Sequence, residues 1–314
     1  MFISVLIPAH NPHGLRLRRT LAGLAAQTWP VAQREILLID NASSKPLAAA
    51  DFAAELPDLR VVREDQLGLT AARLCGFAAA RGEIVLLVDD DNVLAPTYLE
   101  RVAAIFASDP SLGAIGGRSL PDFEAAPPAW AREFDGLLAL RDPGDEPARA
   151  TWTAGTPRAY PGCAPIGAGM ALRREAAAAY VTALEQHPER RGFDRTGTRL
   201  ISGGDNDLVM SVLEAGWAVA YRPELSLQHL IPPRRSEVDY LGALNRAIAR
   251  SWVSVLAMHD IRLWRPISHR SVGLRQARAW LRSGAWRGPA EWVRWQGLCG
   301  MFEGQADLSS FPSS

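Results

Sequence analysis

The chain has 314 residues, of which 48% are hydrophobic and 22% charged, and its 34 basic and 34 acidic side chains cancel. This is the composition of a globular protein, so it excludes a disordered chain, a collagen-like fibre and nucleic-acid binding driven by bulk positive charge. The charge is unevenly distributed, because residues 240–314 contain ten Arg and four acidic residues and carry +6, which leaves −6 on residues 1–239.

Short apolar runs alternate with helical periodicity through the first 120 residues. This alternation is typical of βαβ units, and it predicts an α/β fold with a mostly parallel sheet and helices on both faces. The run at residues 2–7 is too short for a signal peptide, and no segment reaches the roughly 20 apolar residues that span a bilayer. The three Cys match no metal or redox spacing, so we expect a cytoplasmic protein. The predicted strands are 3–7, 35–39, 59–63 and 84–88, and the predicted helices are 15–26, 47–55 and 69–80.

The second half of the chain is less regular. Residues 119–165 hold eight of the 22 Pro, which predicts long loops broken by a short helix at 128–134. Beyond 235 the pattern is helical to about Phe302, with breaks at Pro266 and at 284–289. We therefore predict a catalytic domain at 1–235 and a helical C-terminal extension at 236–314. Between the loops and the extension we predict strands at 167–172, 218–222 and 225–229, and helices at 173–186 and 205–215.

Three consecutive aspartates, Asp89, Asp90 and Asp91, follow the predicted strand 84–88. Ligands bind at the carboxyl ends of strands in open parallel sheets, and three carboxylates there repel one another unless a cation lies between them. Carboxylate oxygens that leave room for phosphate suit magnesium or manganese. The alternative is an acidic turn that caps the helix expected near Pro96.

The segment after the first strand, residues 8–14, fits neither the phosphate-binding loop of ATPases nor the dinucleotide fingerprint. This disfavours a kinase, an ATPase and a dehydrogenase. A nucleotide whose diphosphate is neutralised by an aspartate-bound cation is the arrangement in nucleotide-sugar enzymes.

These motifs together resemble the family 2 inverting glycosyltransferases, which have the GT-A fold. The resemblance covers roughly residues 2–232, and residues 117–142 look similar to bacterial enzymes of surface or exopolysaccharide assembly. It is carried by residues 4–11 (Ser-Val-Leu-Ile-Pro-Ala-His-Asn), by 38–43 (Leu-Ile-Asp-Asn-Ala-Ser), by 68–73 with Gly82-Glu83, by Asp89-Asp90-Asp91, and by 203–208 (Gly-Gly-Asp-Asn-Asp-Leu) with Gly216-Trp217.

The resemblance implies a role for each matching residue. Asp205 would be the catalytic base, Asp91 a direct metal ligand, and His229 a further ligand whose imidazole suits manganese. Arg234 or Arg235 would pair with the departing diphosphate. The residues implied in binding the donor nucleotide are Pro8, Ala9, Asn11, Asp40 (to the base), Arg73 (to the phosphates), Asp89 (nearer the ribose) and Asp90.

Two positions depart from the family pattern. Gly204 precedes Asp205 where many relatives have Glu, and Leu74 replaces an Asn. Small residues in the segment 164–174 would let the backbone approach the donor sugar closely. Simpler structural roles remain open: Asp205 as a helix N-cap, His229 as a structural histidine, and Arg73 as the partner of a surface acid.

The resemblance implies transfer of a sugar, with a UDP-sugar as the first expectation, to a hydroxyl acceptor with inversion. The cofactor would be manganese or magnesium, and the acceptor a glycan, a lipid-linked saccharide or a small molecule. Two alternatives stay open. One is a sugar-1-phosphate nucleotidyltransferase, which the missing glycine-rich basic loop disfavours. The other is an inactive binding module with the same fold.

The +6 segment interleaves Arg with Trp280, Trp286, Trp292 and Trp295 in helical stretches. Such a pattern is typical of a helix that lies at a membrane surface, so it predicts contact with an anionic membrane at the inner face. Packing of these Trp in the core beneath a solvated Arg face is an equal alternative.

Overall fold

The computed structural model describes residues 1–197 and 199–308, and its centre is a mixed β-sheet. The strand order is β3-β2-β1-β4-β8-β6-β9-β5, and β7 also pairs with β9. Within the described residues the strands are Ile3–Ala9 (β1), Arg34–Asn41 (β2), Leu59–Glu64 (β3), Ile84–Leu87 (β4), Asn92–Leu94 (β5), Leu112–Phe123 (β6), Ala148–Ala150 (β7), Ala171–Arg173 (β8) and Ala218–Ile231 (β9).

Helices cover both faces of this sheet. Short 3₁₀ segments lie at Val31–Gln33, Ala49–Phe52, Ala129–Leu138, Pro188–Phe193 and Pro233–Ser236. The α-helices of the described chain are Gly14–Ala25 (α1), Leu69–Ala79 (α2), Tyr98–Ser108 (α3), Arg174–Gln186 (α4), Gly204–Glu214 (α5), Val238–Met258 (α6), His269–Ser283 (α7) and Pro289–Asp307 (α8).

The α/β architecture is confirmed, and the predicted parallel pairing applies to the first half of the sheet. Strands β3, β2, β1 and β4 are parallel neighbours, and β6 is parallel to β9. By contrast, β8 is antiparallel to β4 and β6, and β5 and β7 are antiparallel to β9. Since the ends of the parallel strands meet at one edge, this half of the sheet positions the ligand-binding cleft.

Alternation along the central strands fills two cores, because successive side chains on a strand point to opposite faces. On β1, Val5 packs into the core beneath α1 and α3, whereas Leu6 packs into the core beneath α2, α4 and α5. On β2, Ile36 and Leu37 divide in the same way. Both faces are apolar, which is why these strands read as continuous hydrophobic runs.

Several predicted elements are wrong in detail. The strand expected at 167–172 is confined to β8, Ala171–Arg173. The helix expected at 47–55 is only a 3₁₀ turn, Ala49–Phe52, in which the N–H of Asp51 bonds to the carbonyl of Ala48 three residues earlier. The strands expected at 218–222 and 225–229 form one strand, β9, which accommodates Pro223 where its pairing with β6 is interrupted. The loops expected from residue 119 begin only after β6 ends at Phe123.

The C-terminal helices pack on the rest of the molecule. Val293 of α8 shares a hydrophobic cluster with Leu244 of α6 and with Phe134 of the 3₁₀ segment Ala129–Leu138. Further along α6, Val255 contacts Met210 of α5. The division at residue 235 stays a prediction, and residues 309–314 of the predicted extension lie outside the described chain. In the described residues, each helix is too short or too polar to cross a bilayer.

Candidate active site

A cleft of about 370 Å³ opens at the carboxyl ends of β1, β2 and β4. Ten of the twelve residues predicted for the site line it, so the sheet brings together motifs that are far apart in sequence. They are Pro8, Ala9, Arg73, Asp89, Asp90, Asp91, Asp205, His229, Arg234 and Arg235.

Asp40 does not line the cleft. Its carboxylate is buried and accepts hydrogen bonds from the N–H groups of Ser43 and Leu47, at 3.2 and 3.0 Å, and from Arg63 Nη1 at 2.8 Å. Burial raises the pKa of Asp40, but these donors outweigh burial and hold the pKa below its usual range. The geometry therefore assigns Asp40 to fixing the loop after β2, and the predicted contact with the base finds no support in it.

Asn11 also lies outside the cleft, with a left-handed backbone at φ 47°. Its side-chain oxygen accepts bonds from the N–H and the hydroxyl of Ser44, both at 2.9 Å, so it ties the loop after β1 to the loop after β2. Two neighbours that the sequence analysis did not select, His10 and Asn41, line the cleft instead. The Asn41 side chain accepts the N–H of Gly68 at 2.8 Å and so fixes the entry to α2.

The sheet register brings His229 to Asp91. On the antiparallel pair β5–β9, Asn92 lies opposite His229, and the N–H of Leu230 donates to the carbonyl of Asp91 at 2.9 Å. His229 Nε2 is 3.4 Å from Asp91 Oδ1. Arg235 completes the group, because its Nη2 is 3.0 Å from Asp91 Oδ2 and its Nη1 is 2.9 Å from His229 Nε2.

The three aspartates have different electrostatic environments. Burial, followed by the charges of Asp91 and Asp89, raises the pKa of Asp90 to about 8. Burial, followed by the charges of Asp91 and Asp205, also raises the pKa of Asp89. Burial also acts on Asp91, but His229 and Arg235 outweigh it and lower its pKa to about 2. A site where neighbouring carboxylates oppose one another's ionisation is one that a cation would stabilise.

Asp91 and His229 fit a divalent cation in part. Both are buried, and the His229 Nδ1 atom has no hydrogen-bond partner among the described residues. The described part of the chain contains no group of three or more His, Cys, Asp or Glu that could hold a metal alone. A cation at this place would thus need oxygens of a bound diphosphate, which is how magnesium is commonly held beside one or two carboxylates.

Asp205 lies in the first turn of α5 and faces the cleft, with 32% of its side chain exposed. Its Oδ2 accepts the N–H of Gly167 at 3.0 Å, and its Oδ1 pairs with Arg73. A Cβ on Gly167 would overlap this carboxylate, and a Cβ on Gly204 would overlap that of Asp194. Gly167 and Gly204 therefore leave the space that the carboxylates of Asp205 and Asp194 occupy.

Arg73 is buried between two carboxylates and does not face the cleft freely. Its Nη1 donates to Asp194 at 2.9 Å while its Nη2 pairs with Asp205. Burial lowers the pKa of Arg73, but Asp205 and Asp194 outweigh burial and raise it. Arg73 thus bridges Asp205 and Asp194, a buried partner that the sequence analysis did not identify, and its contact with donor phosphates stays a prediction. The pKa of Asp194 is raised to about 6, because burial outweighs the attraction of Arg73.

Arg195 also lines the cleft and was missed by sequence reasoning. It lies in an irregular segment, where neither periodicity nor motif spacing marks it. Within the described chain, neither Arg195 nor Arg234 has an ion pair with a carboxylate. These two guanidinium groups are the cations of the cleft that are free to meet an anionic ligand.

Asp207 lies on the opposite side of α5 from Asp205 and is fully buried. It accepts hydrogen bonds from Arg190 Nε and Nη2, at 3.0 and 2.7 Å, and His259 Nε2 lies 2.9 Å from the same oxygen. This network joins α5 to the 3₁₀ segment Pro188–Phe193 and to the end of α6. Of the two aspartates in the segment 203–208, Asp205 thus faces the cleft and Asp207 has a structural role.

The model of the family "Glycosyl transferase family 2" matches residues 4–180, which is more than half of the chain. The chain belongs to this family. The match runs from β1 through the Asp89-Asp90-Asp91 segment to the first half of α4, and it confirms the resemblance inferred from the motifs.

Solved structures confirm the GT-A fold. The chain is similar to a mannosyltransferase from Pyrobaculum calidifontis in complex with GDP-Man and Mn²⁺, with a TM-score of 0.55 and 18% identity over 99% of this chain and 76% of the other. It is also similar to S. aureus TarS 1-349 in complex with UDP-GlcNAc, with a TM-score of 0.51 and 14% identity over 99% of this chain and 92% of the other.

Among curated proteins, the chain is 33% identical over 146 residues to the O-antigen biosynthesis protein RfbC of Myxococcus xanthus. The match covers 42% of this chain and only 11% of that much longer protein.

Proposed function

We propose that this protein transfers a sugar from a nucleoside diphosphate sugar to a hydroxyl acceptor, with inversion at the anomeric carbon and Asp205 as the general base. The donor is a UDP-sugar as the first expectation, although one structural neighbour was solved with GDP-Man and another with UDP-GlcNAc. The acceptor belongs to polysaccharide or glycoconjugate assembly, by analogy with the O-antigen relative.

The observation that carries the proposal is the convergence of three kinds of group on one cleft. The aspartates after β4 lie on one wall, a partly exposed carboxylate held by Gly167 and Arg73 lies on another, and two unpaired guanidinium groups line the same space. A nucleoside diphosphate sugar needs a partner for its diphosphate, and a sugar acceptor needs a base. The cleft supplies both.

On the donor side, Asp91 and His229 would hold manganese or magnesium, which when bound neutralises charge on the leaving diphosphate. Arg195, Arg234 and Arg235 provide further positive charge there, and a guanidinium pairs well with phosphate oxygens. Arg235 lies on Asp91 and His229 in this structure, so its side chain is within reach of the place where the diphosphate would bind.

On the acceptor side, Asp205 accepts the proton of the attacking hydroxyl. The hydroxyl oxygen bonds to the anomeric carbon while the bond from that carbon to the diphosphate oxygen breaks, and its electrons go to the diphosphate. The bonds from Gly167 and Arg73 fix the orientation of the carboxylate. Oδ1 is buried beside Arg73, so Oδ2 is the oxygen whose second lone pair is available to the acceptor. A single displacement from the opposite face inverts the configuration.

The test is donor turnover by the parent chain and by Asp205→Asn, measured with a panel of UDP- and GDP-sugars in manganese or magnesium. General-base catalysis is typically worth roughly 100- to 10,000-fold, so turnover should fall by that order while UDP binding stays within about twofold. Asp65→Asn, which removes an exposed carboxylate outside the cleft, is the matched control.

Two results would overturn the proposal. Near-parent turnover in Asp205→Asn would show that another group is the base. Release of pyrophosphate from a nucleoside triphosphate, with no donor-sugar turnover, would instead indicate a nucleotidyltransferase.

A further inference from the structure

Helix α7 turns an apolar stripe toward solvent. Leu274 and Leu281 are 58% and 62% exposed, and Ala277 lies between them at helical spacing, so the three share one face. At the end of the helix, Trp280 and Trp286 are 37% and 54% exposed, with their ring centroids 4.8 Å apart. We call this set, Leu274, Ala277, Leu281, Trp280 and Trp286, the α7 face.

Two other tryptophans of the extension, Trp292 and Trp295, have different surroundings. The ring of Trp292 packs against Gly242 of α6, and Trp295 Nε1 donates to the carbonyl of Gln276 at 3.0 Å. Trp292 and Trp295 are therefore half-buried in contacts between the helices, whereas Trp280 and Trp286 lie at the surface, and contact of this second pair with a membrane stays a prediction.

The segment that contains the α7 face is strongly basic. Residues 261–290 contain seven Arg and no Asp or Glu, and none of the seven forms an ion pair with a carboxylate of the described chain. On α8, by contrast, Glu303 and Asp307 pair with Arg246 and Arg250 of α6. The seven are Arg262, Arg265, Arg270, Arg275, Arg278, Arg282 and Arg287.

We infer that the α7 face docks on an anionic bilayer surface, with its Leu and Trp side chains in the interfacial layer and the surrounding Arg on lipid phosphates. Apolar residues and tryptophan bordered by arginines form the composition of an interfacial helix. Trp is well suited to the boundary between headgroups and hydrocarbon, because its ring is apolar and its N–H is polar.

Charge and apolarity together favour a membrane over other occupants. A second copy of the same face would place seven Arg against seven Arg, which is repulsive. A nucleic acid would satisfy the arginines but would leave the leucine stripe without an apolar partner. Only an anionic bilayer offers phosphate groups above an apolar layer on one surface.

The α7 face is connected to the cleft through packed helices. Helix α7 bonds to α8 through Trp295 and Gln276, Val293 of α8 packs with Leu244 of α6, and Leu244 lines the cleft. Docking would therefore hold the active site near the bilayer, where a lipid-linked acceptor would be found. Membrane binding itself does not depend on the proposed transferase activity.

The experiment is flotation of the full chain with vesicles of phosphatidylcholine alone and of phosphatidylcholine mixed with phosphatidylglycerol. We expect binding only to the anionic vesicles. Since each surface Arg contributes about 1 kcal/mol to such binding, the triple variant R275Q/R278Q/R282Q should bind about 100-fold more weakly. The variant L274Q/L281Q tests the apolar stripe and should bind at least about tenfold more weakly.

Each variant has a matched control elsewhere on the surface. R101Q/R132Q/R191Q removes the same charge from exposed sites outside α7, and L15Q/V31Q removes exposed apolar side chains from α1 and the segment after it. We expect the charge control to lose no more than about tenfold, through its general effect on net charge, and the apolar control to bind as the parent does. Thermal melting checks that every variant is folded.

Equal binding to neutral and anionic vesicles, or equal loss in the controls and the α7 variants, would overturn the inference. So would light scattering that shows an α7-dependent dimer and no flotation. Donor turnover in solution separates this inference from the proposed function, because L274Q/L281Q lies outside the cleft. Turnover without flotation contradicts only the docking, and flotation without turnover contradicts only the proposed function.

Discussion

Asp207 and Asp205 lie two residues apart on α5, so they point to opposite sides of the helix. Asp205 faces the cleft, whereas Asp207 is fully buried and accepts bonds from Arg190 and His259. We therefore predict opposite effects for two changes in one short motif. Asp207→Ala should destabilise the fold, and Asp205→Asn should leave its stability nearly unchanged.

The size of the effect follows from what Asp207→Ala leaves behind. Arg190 is buried, and in the variant its guanidinium keeps only the 2.7 Å bond to Ser211 Oγ and the 3.3 Å contact with His259. Removing one member of a buried ion pair costs about 3–5 kcal/mol. At roughly 2–4 °C per kcal/mol in a large domain, the melting temperature should fall on the order of 10 °C.

Differential scanning fluorimetry measures this directly, with Asp65→Ala as the control for loss of an exposed carboxylate. The control should melt within about 2 °C of the parent, because surface substitutions usually change stability by less than about 0.5 kcal/mol. Asp207→Asn should be intermediate, since its amide oxygen can still accept a bond. A melting temperature of Asp207→Ala within about 2 °C of the parent would refute the reasoning that this network stabilises α5.

Three further outcomes are expected. Burial lowers the pKa of His259, but hydrogen bonds to two carboxylates outweigh burial and raise this pKa. The charged imidazole therefore stabilises the fold fully below the unfolded pKa of about 6.5, and this stabilisation is lost as the pH rises through the folded pKa. The melting temperature should therefore decline from about pH 6.5 upward, and more steeply in the parent than in His259→Gln; parallel curves would contradict this. Gly167→Ala adds a methyl that overlaps the Asp205 carboxylate, so kcat should fall up to about 100-fold with UDP affinity unchanged, and a normal kcat would show that the carboxylate is held elsewhere. In calorimetry, manganese should strengthen UDP binding to the parent but not to Asp91→Ala, and an equal gain in both would exclude Asp91 as a ligand.

Most of the cleft could be predicted because it is built from residues that follow strands. Hydrophobic runs located β1 and β4 within two residues of their ends, and the edge rule for parallel sheets then placed Pro8 and Asp89 in one cleft. His229 could be named from the resemblance alone. The contact between His229 and Asp91 depends on the register of the antiparallel pair β5–β9, and no local sequence pattern specifies that register.

The residues that were missed or misplaced are those whose roles depend on distant partners. Asp40 ends a strand as the motif requires, but two backbone N–H groups and Arg63 occupy its carboxylate. Asp194 is 121 residues from Arg73 and lies in an irregular segment, so neither spacing nor periodicity could pair them. Sequence patterns report which side chains reach the cleft edge, but not which of them are already bound to other protein groups.

The opposite charges of the two parts of the chain therefore have different physical origins. The aspartates of the cleft lie side by side, with Asp91 buried and Asp89 and Asp90 half-buried. Loss of solvent and the neighbouring carboxylates raise the pKa of Asp89 and Asp90, so a cation nearby would stabilise their charged forms. The arginines around α7 are solvated and unpaired within the described residues, so they need no partner in order to fold. The α7 arginines therefore remain available to bind an anionic surface, and the cleft carboxylates remain available to bind a metal ion.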